Sequence, residues 1–158
     1  MVKRTSLAHA DCPIARSLDA IGDWWSLLIV RDALLGYRRF GEFQKSLGLA
    51  KNILTVRLRA LVERGILELA PASDGSAYQE YVLTEKGRGL FPVIVALRQW
   101  TEAFDARPEE IGTLLVDREK GRAVQKLTLY SMDGRQLGPA DTMLVPRPQR
   151  KGRRRAAT

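Results

Sequence analysis

The sequence contains one cysteine, Cys12, and one histidine, His9, in 158 residues. A single cysteine excludes an internal disulfide and suits a reducing compartment. One cysteine and one histidine cannot supply the three or four nitrogen and sulfur ligands of a zinc-type site. No metal and no cofactor is therefore expected. Long apolar runs are also missing. Nothing approaches the roughly 18 consecutive apolar residues of a membrane span. The run Leu27 to Val30 is too short and too deep in the chain for a signal peptide. The expectation is a cytoplasmic protein with no membrane partner. No nucleophile–base pair or phosphate loop can be found, so an enzyme is not expected.

Basic charge is concentrated in two places. The chain carries 26 basic and 18 acidic residues, a net of +8. Six of the bases, Arg147, Arg150, Lys151, Arg153, Arg154 and Arg155, lie in the last twelve residues with no acid among them. Without them, 20 basic residues face 18 acidic ones, a net of +2. Net charge by itself then speaks only to non-specific attraction by the tail. The second place is Tyr37 to Arg59, where Arg38, Arg39, Lys45, Lys51, Arg57 and Arg59 stand against one acid, Glu42. A basic cluster inside a helix-rich segment is a candidate nucleic-acid footprint.

Hydrophobic spacing orders the rest. Pro13 suits the first turn of a helix, Ile14, Leu18 and Ile21 repeat at helical spacing, and Gly22 ends the run. Asp23 is a good N-cap for a second helix to about Leu35, apolar on most of its circumference and stopped by Gly36. Phe40, Phe43 and Leu47 predict a short third helix closed by Gly48. Gly48-Leu49-Ala50 turns into a fourth, about Lys51 to Arg64. There Leu54, Leu58, Leu61 and Val62 share one stripe, and Asn52, Val56, Arg59, Ala60 and Glu63 point away from it. Two short helices joined by a Gly-containing turn predict a helix-turn-helix.

Ile66 to Ala70 and Tyr78 to Leu83 predict two strands around the turn Ser73-Asp74-Gly75-Ser76. A hairpin directly after a helix-turn-helix is a wing. Thr84 then caps a long fifth helix to about Ala106, with Pro92 kinking it or ending a short first piece. Beyond it, Thr113 to Val116, Val124 to Tyr130 and Thr142 to Val145 predict strands separated by turns at 117–122 and 132–135. The fold class expected is mainly α with a small β wing, a winged helix-turn-helix, plus a small β-rich C-terminal extension. Its organisation is a flexible arm (1–11), a DNA-binding and dimerisation domain (12–107), the β-rich extension (108–146) and a disordered basic tail (147–158).

With these motifs in order, the sequence resembles the HxlR-type winged helix-turn-helix regulators, which share their architecture with MarR-type regulators. The resemblance rests on Cys12-Pro13, Gly22-x-x-Trp25-Ser26-Leu27-Leu28-Ile29 with Arg31-Asp32, and Gly36-x-x-Arg39-Phe40-Gly41-Glu42. It continues through Leu54-Thr55-x-Arg57-Leu58-x-x-Leu61, Gly65-Ile66-Leu67 and Tyr81-x-Leu83-Thr84-x-x-Gly87. Each piece alone is weak, and their shared order and spacing from Cys12 to Trp100 is specific. The resemblance implies a homodimer on a pseudo-palindromic operator in double-stranded DNA, with the fourth helix in the major groove and the wing near the flanking minor groove. Family members often carry Ser where this chain has Ala50, a polar residue where it has Val56, and a basic residue in the wing, where this chain has Asp74 and no Arg or Lys.

The candidate DNA contacts follow. Arg38, Arg39 and Lys45 are expected at phosphates, with Tyr78 within reach of another, and Lys51 is a further expected DNA contact. Asn52, Thr55, Val56 and Arg59 are expected at base edges, Val56 only through a thymine methyl. Arg57, near the packed stripe, has two readings: a DNA contact, or a side chain that is structural or pairs with Glu42. Leu90, Ile94, Leu97, Trp100 and Phe104 are the expected dimer interface. Trp24, Trp25 and Trp100 are expected in the core or that interface. Cys12 is either a small buried side chain or, as in some members of the resembled family, a redox sensor. A small-molecule effector is an open expectation. The expected function is a sequence-specific transcriptional regulator, as a repressor, and the alternative is an interaction module that kept the fold and lost specific DNA readout.

Overall fold

The computed structural model describes residues 6–105 and 107–146. The expected basic tail, 147–158, lies outside the described residues. The chain divides into two compact units, with the boundary between Leu114 and Leu115.

The first unit begins with residues that a flexible arm would leave free. From Ser6 onward they are tied to the first helix: the Leu7 N–H donates to Asp19 Oδ1 at 2.8 Å and Arg16 Nε donates to the Ala10 carbonyl at 2.6 Å. Helix α1 spans Pro13–Ile21, with Pro13 at its first turn. Helix α2, Trp24–Leu34, is capped by Asp23, whose carboxylate accepts the Ser26 N–H at 3.0 Å and the Ser26 hydroxyl at 2.5 Å. Helix α3, Phe40–Leu47, ends at Gly48, whose φ of 63° lies in the left-handed region that glycine enters without a Cβ penalty. Helix α4, Lys51–Glu63, starts at Ala50 without a side-chain cap.

Strands β1, Leu67–Pro71, and β2, Gln79–Leu83, pair antiparallel, with Leu67 opposite Leu83 and Pro71 opposite Gln79. The expected long fifth helix is two pieces. Helix α5 covers Glu85–Arg88 and α6 covers Phe91–Phe104, with Pro92 in the first turn of α6. Thr84 joins the wing to this break. Its hydroxyl donates to the Gly65 carbonyl at 2.6 Å and accepts the Gly87 N–H at 3.1 Å. Gly87 is fixed by space, because a Cβ there would stand 2.2 Å from the Ile66 carbonyl oxygen.

The core joins α1 through β1: Ile21, Ile29, Val30, Phe43, Leu54, Leu58, Leu61, Ile66 and Leu67 are buried, and Leu90 and Ile94 pack against them. Phe43 meets Tyr81 of β2 edge-on at 6.4 Å, which holds the wing to α3. Trp25 also packs on this core. Trp24 and Trp100 are 73% and 55% exposed, so neither is a core residue of the single chain.

The second unit is built differently. Of the three strands expected in the extension, pairing is confined to β3, Leu129–Tyr130, with β4, Gln136–Leu137, and an isolated bridge between Val116 and Ala123. Thr142 to Val145 forms no strand. The turns stand where expected. Asp117 accepts the N–H groups of Glu119 and Lys120, and Ser131 and Arg135 close the turn around Gly134. No described residue from 115 to 146 is buried.

Candidate nucleic-acid interface

Helix α4 owes its two faces to a stripe of leucines. Leu54, Leu58 and Leu61 are buried, which turns Lys51, Asn52, Thr55, Val56 and Arg59 outward, all exposed. Asn52, Thr55 or Val56, and Arg59 then follow one another at i, i+3 or i+4 along a solvent-facing stripe. The Thr55 hydroxyl donates to the Lys51 carbonyl at 2.8 Å, so its proton is engaged within the helix and its oxygen is left to accept. Val56 is 61% exposed, an apolar side chain in the middle of a polar face. Lys45 lies exposed in the last turn of α3, and Tyr78, at the end of the wing loop, is 73% exposed.

The arginines before α3 are not free cations. The Glu42 carboxylate accepts the N–H groups of Arg38 and Arg39, each at 2.8 Å. Those two hydrogen bonds to the ionised form hold the Glu42 carboxyl below its ordinary range. The Arg38 carbonyl in turn accepts the Tyr81 N–H at 2.8 Å, so the chain entering α3 runs beside the wing. Both guanidinium groups reach wing carboxylates. Arg38 Nη1 lies 3.6 Å from Glu80 Oε2, and Arg39 Nε lies 3.6 Å from Glu80 Oε1. Arg39 Nη2 donates to Asp74 Oδ2 at 2.5 Å. Glu80 is buried, only 3% exposed, and also accepts the Ser73 hydroxyl at 3.1 Å. Asp74 is held well below the ordinary carboxylate range, first by the Arg39 hydrogen bond and then by Ser76.

Arg57 does not pair with Glu42. Its Nε lies 3.5 Å from Asp23 Oδ1, linking α4 to the cap of α2. Glu42 Oε2 is taken by the two backbone N–H groups, and the Arg57 guanidinium turns instead to Asp23. Sequence reasoning named Asp23 as a cap and Asp74 as a wing acid but not their arginine partners, and it missed Glu80 altogether. The acidic wing tip was visible as Asp74. The inward turn of Glu80 required the register of β2.

The expected dimer residues separate into two groups. Leu90 and Ile94 are partly buried against the chain's own core. Leu97, Trp100 and Phe104 are 48%, 55% and 76% exposed. The Trp100 and Phe104 rings stack obliquely at 6.1 Å. Ile14 and Leu18 of α1 are exposed as well, at 70% and 50%. Cys12, at the N-cap of α1, is exposed, which removes the reading of a buried structural thiol. A cavity of about 100 Å³ lined by Ser17, Ala20, Ile21, Ile66, Lys86 and Leu90 is smaller than the roughly 300 Å³ at which small-molecule pockets begin. Among the described residues no group of three or more His, Cys, Asp or Glu could hold a metal ion, and no helix is long and apolar enough to cross a membrane.

These elements match known proteins. The crystal structure of PA1607, a candidate transcription factor, is 55% identical with a TM-score of 0.84, over 89% of this chain and 99% of that one. The oxidised form of the redox regulator HypR is 31% identical with a TM-score of 0.54, over 61% of this chain and all of that one. An uncharacterised HTH-type transcriptional regulator of Mycobacterium tuberculosis, MT3179, is 45% identical over 96 residues, which are 61% of this chain and 61% of the relative. The matched stretch thus spans less than two thirds of that relative's length. The family model for HxlR-like helix-turn-helix proteins matches residues 20–109, the stretch that holds α2 to α6, the buried leucine stripe and the wing, and this chain belongs to that family.

Proposed function

We propose that this protein is a DNA-binding transcriptional regulator that acts as a homodimer, with α4 in the major groove of each half-site. One observation carries the reading: the outward stripe of α4, Lys51, Asn52, Thr55, Val56 and Arg59, opposite a fully buried leucine stripe. A helix packed on one side and polar on the other fits a groove that presents hydrogen-bonding base edges. Arg59 and Asn52 are the residues for guanine and adenine edges, Val56 for a thymine methyl, and Lys45 and Lys51 for phosphates. Arg38 and Arg39 flank the same surface, and Tyr78 stands at the wing. MT3179 and PA1607 support the assignment through what they are described as.

The partner subunit belongs on the exposed apolar side of α6, with Leu97, Trp100 and Phe104 at its centre. Two-fold symmetry then sets two α4 helices against half-sites about one helical turn apart. Bound near a promoter in the cytoplasm, such a dimer acts as a repressor. Responsiveness belongs to Cys12: it is exposed at the N-cap of α1, and a structural relative is described as a redox regulator. An intersubunit bond or a small-molecule adduct serves a chain with one cysteine. Loss of the diamide response of DNA binding in Cys12→Ser tests this role, and an unchanged response ends it.

The deciding experiment measures binding to the DNA upstream of the protein's own gene against a random duplex at two salt concentrations. Selective binding that Arg59→Ala weakens supports the regulator. Absence of binding even at low salt leaves the interaction module, with Ala50, Val56 and the acidic wing as the places where readout was lost. Trp100→Glu is expected to convert the dimer to monomer in analytical ultracentrifugation.

A further inference from the structure

We propose that the wing acid Asp74 is an internal competitor for DNA phosphate: it occupies Arg39 in the free protein and thereby lowers affinity for DNA of any sequence. The inference rests on the proposed meeting of α3 and α4 with DNA.

The six-residue basic cluster is smaller in the folded chain than in the sequence. Arg38 faces Glu80, Arg39 faces Asp74 and Glu80, and Arg57 faces Asp23. Among the described residues no carboxylate pairs with Lys45, Lys51 or Arg59. Half of the cluster is thus internally neutralised, and most of that neutralisation comes from the wing.

The two wing acids differ in kind. Glu80 is buried and held by two arginines and the Ser73 hydroxyl, so it is part of the architecture that fastens the wing to α3. Asp74 is half exposed, and so is its partner, with side-chain exposures of 51% and 41%. Exposed pairs of this sort are weak and are opened by a competing anion. Arg39 sits at the N-cap of α3, where helix N–H groups also draw negative charge. A phosphate arriving there replaces the Asp74 carboxylate at Arg39 and leaves that carboxylate close to a second negative charge. Both effects oppose binding, and neither depends on base sequence. Asp74 consequently weakens binding to the operator and to random DNA by the same factor, and selectivity stays with the base contacts of α4.

The test compares wild type, Asp74→Asn, Asp74→Glu and Arg39→Ala/Asp74→Asn, as full chains, on the DNA upstream of the protein's own gene and a random duplex at about 50 and about 200 mM salt. Asp74→Asn retains an oxygen to accept the Ser76 N–H, now at 3.0 Å, so the wing turn stays formed. An unchanged melting temperature verifies this. Asp74→Asn is expected to bind the random duplex about three- to tenfold tighter at the lower salt. Its dependence of log affinity on log salt should be steeper by about 0.9 for each released arginine, roughly 2 for a dimer. Asp74→Glu should behave as wild type, and most of the gain should vanish without Arg39. A folded Asp74→Asn protein that binds the random duplex no tighter, or more weakly, overturns the proposal and leaves the DNA-binding reading standing. A wild type that binds neither duplex overturns both.

Discussion

The two units of this chain are held together by different physics. Residues 6–114 enclose an apolar core in which Phe43, Ile29, Leu54 and Leu58 are completely buried. Residues 115–146 contain no buried side chain and are shaped by short-range hydrogen bonds: Asp117 to its own turn, Ser131 and Asp133 around Gly134, and Asp141 to the Gly138 N–H at 2.8 Å. Leu127, Leu129, Tyr130, Met143 and Leu144 are all more than half exposed. Apolar burial gives a chain most of its stability, and hydrogen bonds exchanged with water contribute little net. The first unit therefore sets the stability of the protein, and the second owes its shape to turns.

The largest effects should come from the core of the first unit. Leu58→Ala empties a fully buried site on the inner face of α4. The expected loss is about 3 kcal/mol, seen in denaturant titration as a lower midpoint with an unchanged slope. The same substitution tilts α4, so DNA binding falls with it. A loss under about 1 kcal/mol would show that this core is looser than its burial indicates. Gly87→Ala comes next. The added Cβ would stand 2.2 Å from a backbone oxygen that cannot rotate away. Separation of α5 from β1 is expected to cost about 2 to 3 kcal/mol, read as a fall in the melting temperature.

A smaller, pH-dependent effect belongs to Glu42. Its carboxylate accepts two N–H groups at the start of α3, and its pKa in the folded protein is lowered from the ordinary 4.5. A group depressed on folding stabilises the native state above its unfolded pKa, and that contribution is lost as pH falls through the folded value. Glu42→Gln should cost about 1 kcal/mol near neutrality, the usual size of a lost helix cap. The difference from wild type should shrink below pH 4.5. A difference constant over that range would mean that the amide replaces the carboxylate fully.

The sequence made the first unit readable because its signals are local. The 3.6-residue spacing of Leu54, Leu58 and Leu61, the cap at Asp23 and the stop at Gly48 each lie within one element. The two faces of α4 followed from that spacing. The charge network of the site was not readable. Arg39 meets Asp74 across 35 positions, and Arg57 meets Asp23 through the packing of α4 on α2. The α6 stripe was visible as apolar, yet spacing does not say which neighbour covers each residue. Leu90 and Ile94 turned out to face the chain's own core, while Leu97, Trp100 and Phe104 face outward. In the extension the alternation from Val124 to Tyr130 expressed strand propensity, and pairing with β4 fixes only its last two residues as strand.

The smallest expected effect is the most instructive. Leu129 in β3 is 61% exposed, so Leu129→Ala removes little buried area. Surface substitutions of this kind change stability by less than about 0.5 kcal/mol. The melting temperature should move by no more than roughly 4 °C. The measurement needs a second arm at low protein concentration, where a dimer dissociates. If the single chain is the relevant unit, Leu129→Ala is neutral at every concentration. If the exposed leucines of the extension meet another subunit, the substitution is neutral for the monomer and lowers the melting temperature of the dimer, because only the assembled state would bury the lost methyl groups. The contrast between a unit with a core and a unit without one then becomes a statement about where the second unit's core is completed.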